Sequence, residues 1–169
     1  MSDNVYLGNP NLKRANTQIQ FTEDQVIEFL KCKDDPVYFA RNHVKIVSLD
    51  EGEVPFKLYP FQEKLVRRFH ENRFNICKMP RQTGKSTTCV SYLLHYAIFN
   101  ANVNIAILAN KASTARDLLN RLQFAYEKLP KWMQQGILVY NKGSMELENG
   151  SKIIAASTSA SAVRGGSYK

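Results

Sequence analysis

The residues FNICKMPRQTGKSTTCVSYLLHYAIFN, 74–100, join a short apolar run to a turn and then to a long segment with helical spacing. The run FNICKM predicts a strand and PRQTG a turn. KSTTCVSYLLHYAIFN predicts a helix whose apolar face carries Val90, Leu93, Leu94 and Ile98. Met79 to Ser86 align with the phosphate-loop pattern G-x-x-x-x-G-K-[ST], which needs a strand before it and a helix after it. Gly84, Lys85 and Ser86 match that pattern; Met79 stands where it has its first glycine.

Each matching residue has a physical task. Gly84 lets the chain turn so that successive N–H groups face inward. Those donors, with the positive end of the following helix, form an anion site. Lys85 brings a charge to the β- and γ-phosphates of a nucleotide, and the Ser86 hydroxyl suits Mg²⁺. Met79 is tolerated if the backbone there takes no positive φ. Arg81 is the more informative departure, because a guanidinium inside the loop sits within reach of the γ-phosphate and could stabilise charge on the transferring group. The candidate nucleotide set is therefore Pro80, Arg81, Gln82, Thr83, Gly84, Lys85, Ser86 and Thr87, with ATP and Mg²⁺ as cofactors. A turn that happens to contain Gly-Lys-Ser is the alternative.

Upstream, YPFQ ends in Gln62, whose amide offers a donor and an acceptor suited to the N6 and N7 edge of adenine. A solvent-facing helix residue is the bland reading of Gln62. Tyr59 or Phe61 could stack on a base or lie in the core.

Working outward, strands and helices alternate from Phe74 onward. VNIAILA reads as a buried strand, ASTARDLLNRLQFAYEKL as a helix capped by Ser113 or Thr114, and GILVYNKGSMELENGSKIIAAST as strands around Gly143 and Gly150. ENGS is a hairpin turn. This alternation predicts an α/β fold with a largely parallel sheet flanked by helices; with the phosphate-loop pattern inside it, the fold expected is a P-loop NTPase of the RecA-like (ASCE) kind. Three units are expected: a flexible arm over residues 1–20, a helical subdomain over 21–73 and the ATPase core over 74–169. In the subdomain, Thr22 caps a helix bearing Val26, Phe29 and Leu30, and Asp35 caps a second, with Pro36 at its first position and Tyr38, Phe39, His43 and Val44 on its inner face. Phe61, Leu65, Val66 and Phe69 mark a third, and IVSLDEGEVPFKL reads as a hairpin or an extended connection.

The chain has 169 residues and a formal net charge of +8. That charge suits a polyanion, although the lysines and arginines are scattered. No apolar run is long enough to span a bilayer and the start lacks the apolar stretch of a signal peptide, so a cytoplasmic location is expected. Cys32, Cys77 and Cys89 form no C-x-x-C pair and read as reduced thiols.

Phosphoryl transfer also needs an acid after an apolar strand to hold the metal and align water. Glu127 falls in a helix, and Glu146 and Glu148 fall in the hairpin. Asp50 and Glu51 follow an apolar run but precede the loop, and read as a surface turn. The expectation is an incomplete core, ending before the strand that bears its acid, that binds ATP but does not hydrolyse it efficiently.

DPVYFARNHVKI, YPFQEKLV, MPRQTGKSTT, ILANKASTARDLLNRL, LPKWMQQGI, NKGSMELENGS and AVRGGS resemble, in order, the N-terminal ATPase domain of the terminase large subunit of contractile-tailed phages. The resemblance implies a motor that pumps double-stranded viral DNA into a preformed capsid. It implies a ring of subunits on the portal protein, a small terminase subunit as partner and a C-terminal nuclease domain. The isolated domain is expected to be a monomer. On this resemblance Lys85 and Ser86 match the phosphate and Mg²⁺ pair, Arg81 a loop arginine acting in the same subunit, and Gln62 the adenine glutamine. Arg164 matches an arginine that in some members reaches a neighbouring subunit's ATP; a loop residue facing solvent is its alternative. Lys85, Arg81 and Arg164 are thus the catalytic candidates, and Ser86 the metal candidate.

Two other classes fit in part. DEAD-box helicases also carry an upstream glutamine and a phosphate loop, but use small residues where this chain has Pro80 and Arg81. A non-catalytic nucleotide-binding or assembly module is the remaining reading.

Overall fold

The computed structural model describes residues 4–48 and 50–158. Strands β1 (Val5–Tyr6) and β2 (Asn9–Lys13) form a first hairpin, followed by helices α1 (Glu23–Asp34) and α2 (Pro36–His43). A second hairpin, β3 (Lys45–Ser48) with β4 (Gly52–Pro55), leads to α3 (Pro60–Glu71). Then come α4 (Lys85–Phe99), β5 (Asn104–Ala109), α5 (Ala112–Glu127), β6 (Ile137–Tyr140), β7 (Ser144–Leu147) and β8 (Lys152–Ser157).

The N-terminal helices start where side chains satisfy their orphan N–H groups. Thr22 accepts from Gln25 N while the Gln25 side chain accepts from Thr22 N, a reciprocal cap. Asp35 accepts from Val37 N at 2.8 Å, with Pro36 opening α2. The buried face of α1 differs from expectation: Cys32 is fully buried and Phe29 meets Phe99 edge-on, while Val26 and Leu30 remain about half exposed. Between α1 and α2, the Glu28 carboxylate accepts from Tyr38 Oη at 2.9 Å and lies 2.8 Å from His43 Nε2. The His43 hydrogen bond holds Glu28 below the ordinary carboxylate range.

The sheet corrects the expected topology. Its strand order is β5-β8-β7-β6, and only β5 and β8 run parallel; β6, β7 and β8 form an antiparallel meander. The fold is mixed α/β, with α5 packed against β5, β8 and α4. The core gathers Leu94 and Ile98 of α4, Ile105 of β5, Leu119 and Leu122 of α5, and Met145 and Ile153 of the meander. α2 and α3 pack on α4. The run FNICKM is not a strand: residues 73–80 have no regular secondary structure, and Phe74 and Ile76 are exposed. A strand exists only through its partner, and none of the described residues pairs with this run.

Local turn chemistry explains the meander. Gly150 takes φ +82°, and the residues on either side of it anchor α4: Asn149 Nδ2 donates to Ala97 O at 2.8 Å and Ser151 Oγ to Asn100 O at 2.8 Å. Carbonyls at the end of α4, orphaned by helix geometry, are thereby satisfied from the hairpin.

Part of the N-terminal segment reaches the core. Leu12 is 1% exposed and lies in the core. Glu148 of the meander turn accepts from Lys13 Nζ at 3.1 Å, Asn16 N at 2.9 Å and Gly136 N at 2.6 Å. Desolvation pushes the Glu148 carboxyl up, but these donors outweigh it and hold it below its ordinary value. A depressed carboxylate contributes stability that is complete above its unfolded pKa of about 4.3 and is lost as pH falls through the lower folded value. Glu148→Gln should therefore cost about 2–3 kcal/mol at neutral pH, by urea unfolding, since it leaves paired donors unsatisfied. The deficit against the native chain should shrink as the pH is lowered below about 4. An equal deficit at all pH values would show that the charge is not what Glu148 contributes.

Candidate nucleotide-binding site

Residues Pro80 to Gly84 turn the chain into α4. Gly84 is the N-cap of that helix in the left-handed region (φ 71°, ψ 14°), and Gln82 is also left-handed at φ 61°. Two positive-φ residues two apart, followed at once by a helix, bend the main chain so that its amides can converge on an anion. The loop is braced from within: Thr83 Oγ1 donates to Pro80 O at 3.1 Å and Thr88 Oγ1 to Gly84 O at 3.0 Å. Lys85 Nζ donates to Met79 O at 3.1 Å, so the position without its usual glycine supplies a carbonyl that parks the lysine.

Gln62 braces the loop from outside. It is 3% exposed; its Oε1 accepts from Tyr59 N at 2.9 Å and its Nε2 donates to Thr83 O at 3.2 Å. Both ends of the amide are engaged with main chain, and the side chain clamps α3 to the loop.

Two cavities meet on this loop. One, of about 410 Å³, lies between the loop, the β3–β4 hairpin and the start of α3, and is lined by Ser48, Glu51, Tyr59, Phe61 and Gln62 among others. Tyr59 and Phe61 stack with centroids 5.7 Å apart and ring planes nearly parallel at 7°, and both rings are substantially exposed. The other cavity, of about 360 Å³, is lined by every residue from Pro80 to Thr87 and by Arg121 of α5. Gln82, Thr83, Gly84 and Thr87 border both.

The structure thus brings together the whole predicted loop set, with Gln62 at its edge. Arg164 lies outside the described residues. Asp50 and Glu51 form the surface turn of the β3–β4 hairpin, although Glu51 also borders the larger cavity. Glu127 accepts from Tyr140 Oη at 2.6 Å and Glu146 pairs with Lys152, so both are engaged away from the loop. No carboxylate among the described residues lines the smaller cavity. Sequence reasoning missed Arg121, which on a helix pattern is one more polar-face residue. All three cysteines are free, and burial pushes the Cys32 thiol up to about 12.

The donor set fits a nucleotide's phosphates: main-chain amides at a helix start, one ammonium and one guanidinium of the loop. The Ser86 hydroxyl offers one oxygen of the hard kind Mg²⁺ takes. No helix of the described residues is long and apolar enough to cross a membrane.

Residues 76–169 match the family described as the terminase large subunit, T4likevirus-type, N-terminal. In shape the chain is similar to the crystal structure of the HK97 bacteriophage large terminase, with a TM-score of 0.64 at 19% identity over 80% of this chain. This chain spans 29% of the length of that one.

Proposed function

The chain belongs to the T4-like terminase large-subunit family, N-terminal part, and on that premise we propose that it is the ATP-binding part of a motor that hydrolyses ATP to drive double-stranded viral DNA into a capsid. One observation carries the nucleotide reading: a loop held left-handed at Gln82 and Gly84 opens directly into α4 with Lys85 and Ser86 on the cavity. In this reading the base enters the larger cavity beside Tyr59 and Phe61, and the phosphates run over Thr83 and Gly84 into the smaller one. Lys85 would exchange the Met79 carbonyl for the β- and γ-phosphates, Arg81 would meet the γ-phosphate, and the Ser86 hydroxyl would be a ligand of Mg²⁺. The metal supplies charge neutralisation on the phosphates.

Gln62 then does its work in two ways: it fixes the loop through Thr83 O, and it reads adenine only if that clamp is exchanged for the base. With no carboxylate of the described residues on the phosphate side, this chain binds ATP with little turnover. In the packaging motor of this reading the DNA contact is to phosphates and insensitive to sequence, because a translocase cannot depend on base identity. The portal protein, the small subunit and neighbouring copies in a ring are the partners this reading supplies.

Calorimetric titration of the folded chain with ATP and Mg²⁺ tests the proposal. Saturable one-site binding in the micromolar range is expected, competed by ADP. No binding heat from a chain with a cooperative unfolding transition would overturn it.

A further inference from the structure

Arg121 sits in the middle of α5, thirty-odd residues beyond the loop, and yet lines the smaller cavity together with Pro80 to Thr87. Its side chain is exposed, and no carboxylate of the described residues pairs with it. The two cavities fix which end of a nucleotide it would meet. They share Gln82, Thr83, Gly84 and Thr87, so a ligand occupying both crosses at those residues. The aromatic pair Tyr59 and Phe61 belongs only to the larger cavity; Arg81, Lys85, Ser86 and Arg121 belong only to the smaller. With the base on the aromatic side, Arg121 faces the far end of the phosphate chain.

We infer that Arg121 is a further phosphate-contacting residue of this site, engaging the terminal phosphate of a bound nucleoside triphosphate from α5. This rests on the nucleotide reading above and adds a residue and a selectivity to it. A guanidinium presents a planar fork to two phosphate oxygens, and such charge-assisted pairs are stronger than neutral hydrogen bonds. The arrangement also gives α5 a stake in the nucleotide state. α5 packs against α4, β5 and β8, so a contact present with a triphosphate and absent with a diphosphate differs at one helix joined to the rest of the sheet.

The test compares affinities for ATP and ADP, each with Mg²⁺, in the whole chain and in Arg121→Ala and Arg121→Lys, by titration calorimetry. Arg121→Ala should lose about tenfold in ATP affinity, the worth of one charge-assisted contact, and stay within about twofold for ADP. Arg121→Lys should recover part of the ATP loss, since it restores charge without the fork. Unfolding midpoints should not move, because the side chain is exposed; a purely structural role would lower the midpoint and both affinities together. If the native chain binds ATP and Arg121→Ala binds it equally well, or loses ATP and ADP alike, the inference falls while the nucleotide reading stands. If the native chain, shown to be folded, binds neither nucleotide, the nucleotide reading falls and this inference with it.

Discussion

Lys85→Ala should lose about 100-fold or more in ATP affinity while leaving the fold nearly intact. The two halves of that expectation come from different interactions. In the structure the ammonium makes one hydrogen bond, to Met79 O at 3.1 Å. Removing a single partly solvated bond of this kind costs only about 1 kcal/mol. Against a triphosphate the same ammonium would answer two charged groups in a site walled by the loop, an interaction of about 3 kcal/mol, and each 1.4 kcal/mol is a factor of ten. Lys85→Met, which keeps the length of the stem and drops the charge, should bind as poorly as the alanine variant. Titration calorimetry beside a urea unfolding curve checks both halves. Native-like ATP binding by either variant would mean that the lysine's place beside Met79 is its whole role, and that the cavity holds something other than phosphate.

What could be read from the residues in order, and what could not, divides along locality. The Thr22 and Asp35 caps, the Gly150 turn and the opening of α4 at Lys85 depend on residues within a few positions of one another, and their side-chain chemistry announces them. The run at 74–79 reads as a strand on apolarity alone, but strand formation depends on a neighbour far away in the chain, and apolarity says nothing of that neighbour. The same limit hid the N-terminal hairpin. Residues 9–16 look polar and unpatterned because their partners are Gln134 and Glu148, more than 100 positions away: Gln134 Nε2 donates to Asn11 O at 3.0 Å. Strands that alternate with helices in sequence read as a largely parallel sheet; the two short turns at Gly143 and Gly150 instead leave no room for a crossover, and short turns force antiparallel neighbours.

The candidate site follows the same rule. The loop's residues are contiguous and were legible together. Arg121 was not, because its place at the cavity depends on how α5 packs on α4. Gln62 was legible as a residue near the loop, but its pairing with Tyr59 N and Thr83 O was hidden, since an amide suits adenine and main chain equally well.

That pairing makes Gly84 the least replaceable residue of the loop. Gly84→Ala should destabilise the chain by about 2–4 kcal/mol and take nucleotide binding with it, for two separable reasons. The first is conformational: φ 71° is a left-handed value that costs a residue with a Cβ about 1–2 kcal/mol. The second is contact: a Cβ at Gly84 would lie 2.5 Å from Gln62 Nε2, and that amide is not a free end that can swing aside, because it is bound at both ends. Displacing it breaks the tie to Thr83 O and strands the Tyr59 N–H, about 1–2 kcal/mol more. The double variant Gln62→Ala with Gly84→Ala separates the reasons. Gln62→Ala alone loses the clamp; added to Gly84→Ala it removes the collision but not the backbone cost. The two substitutions should therefore be less harmful together than the sum of their separate effects, by about 1 kcal/mol or more, in a urea-unfolding double-mutant cycle. Strict additivity would mean that Gln62 and Gly84 do not press on one another, and that the loop owes its shape to its own internal bonds and the start of α4 alone.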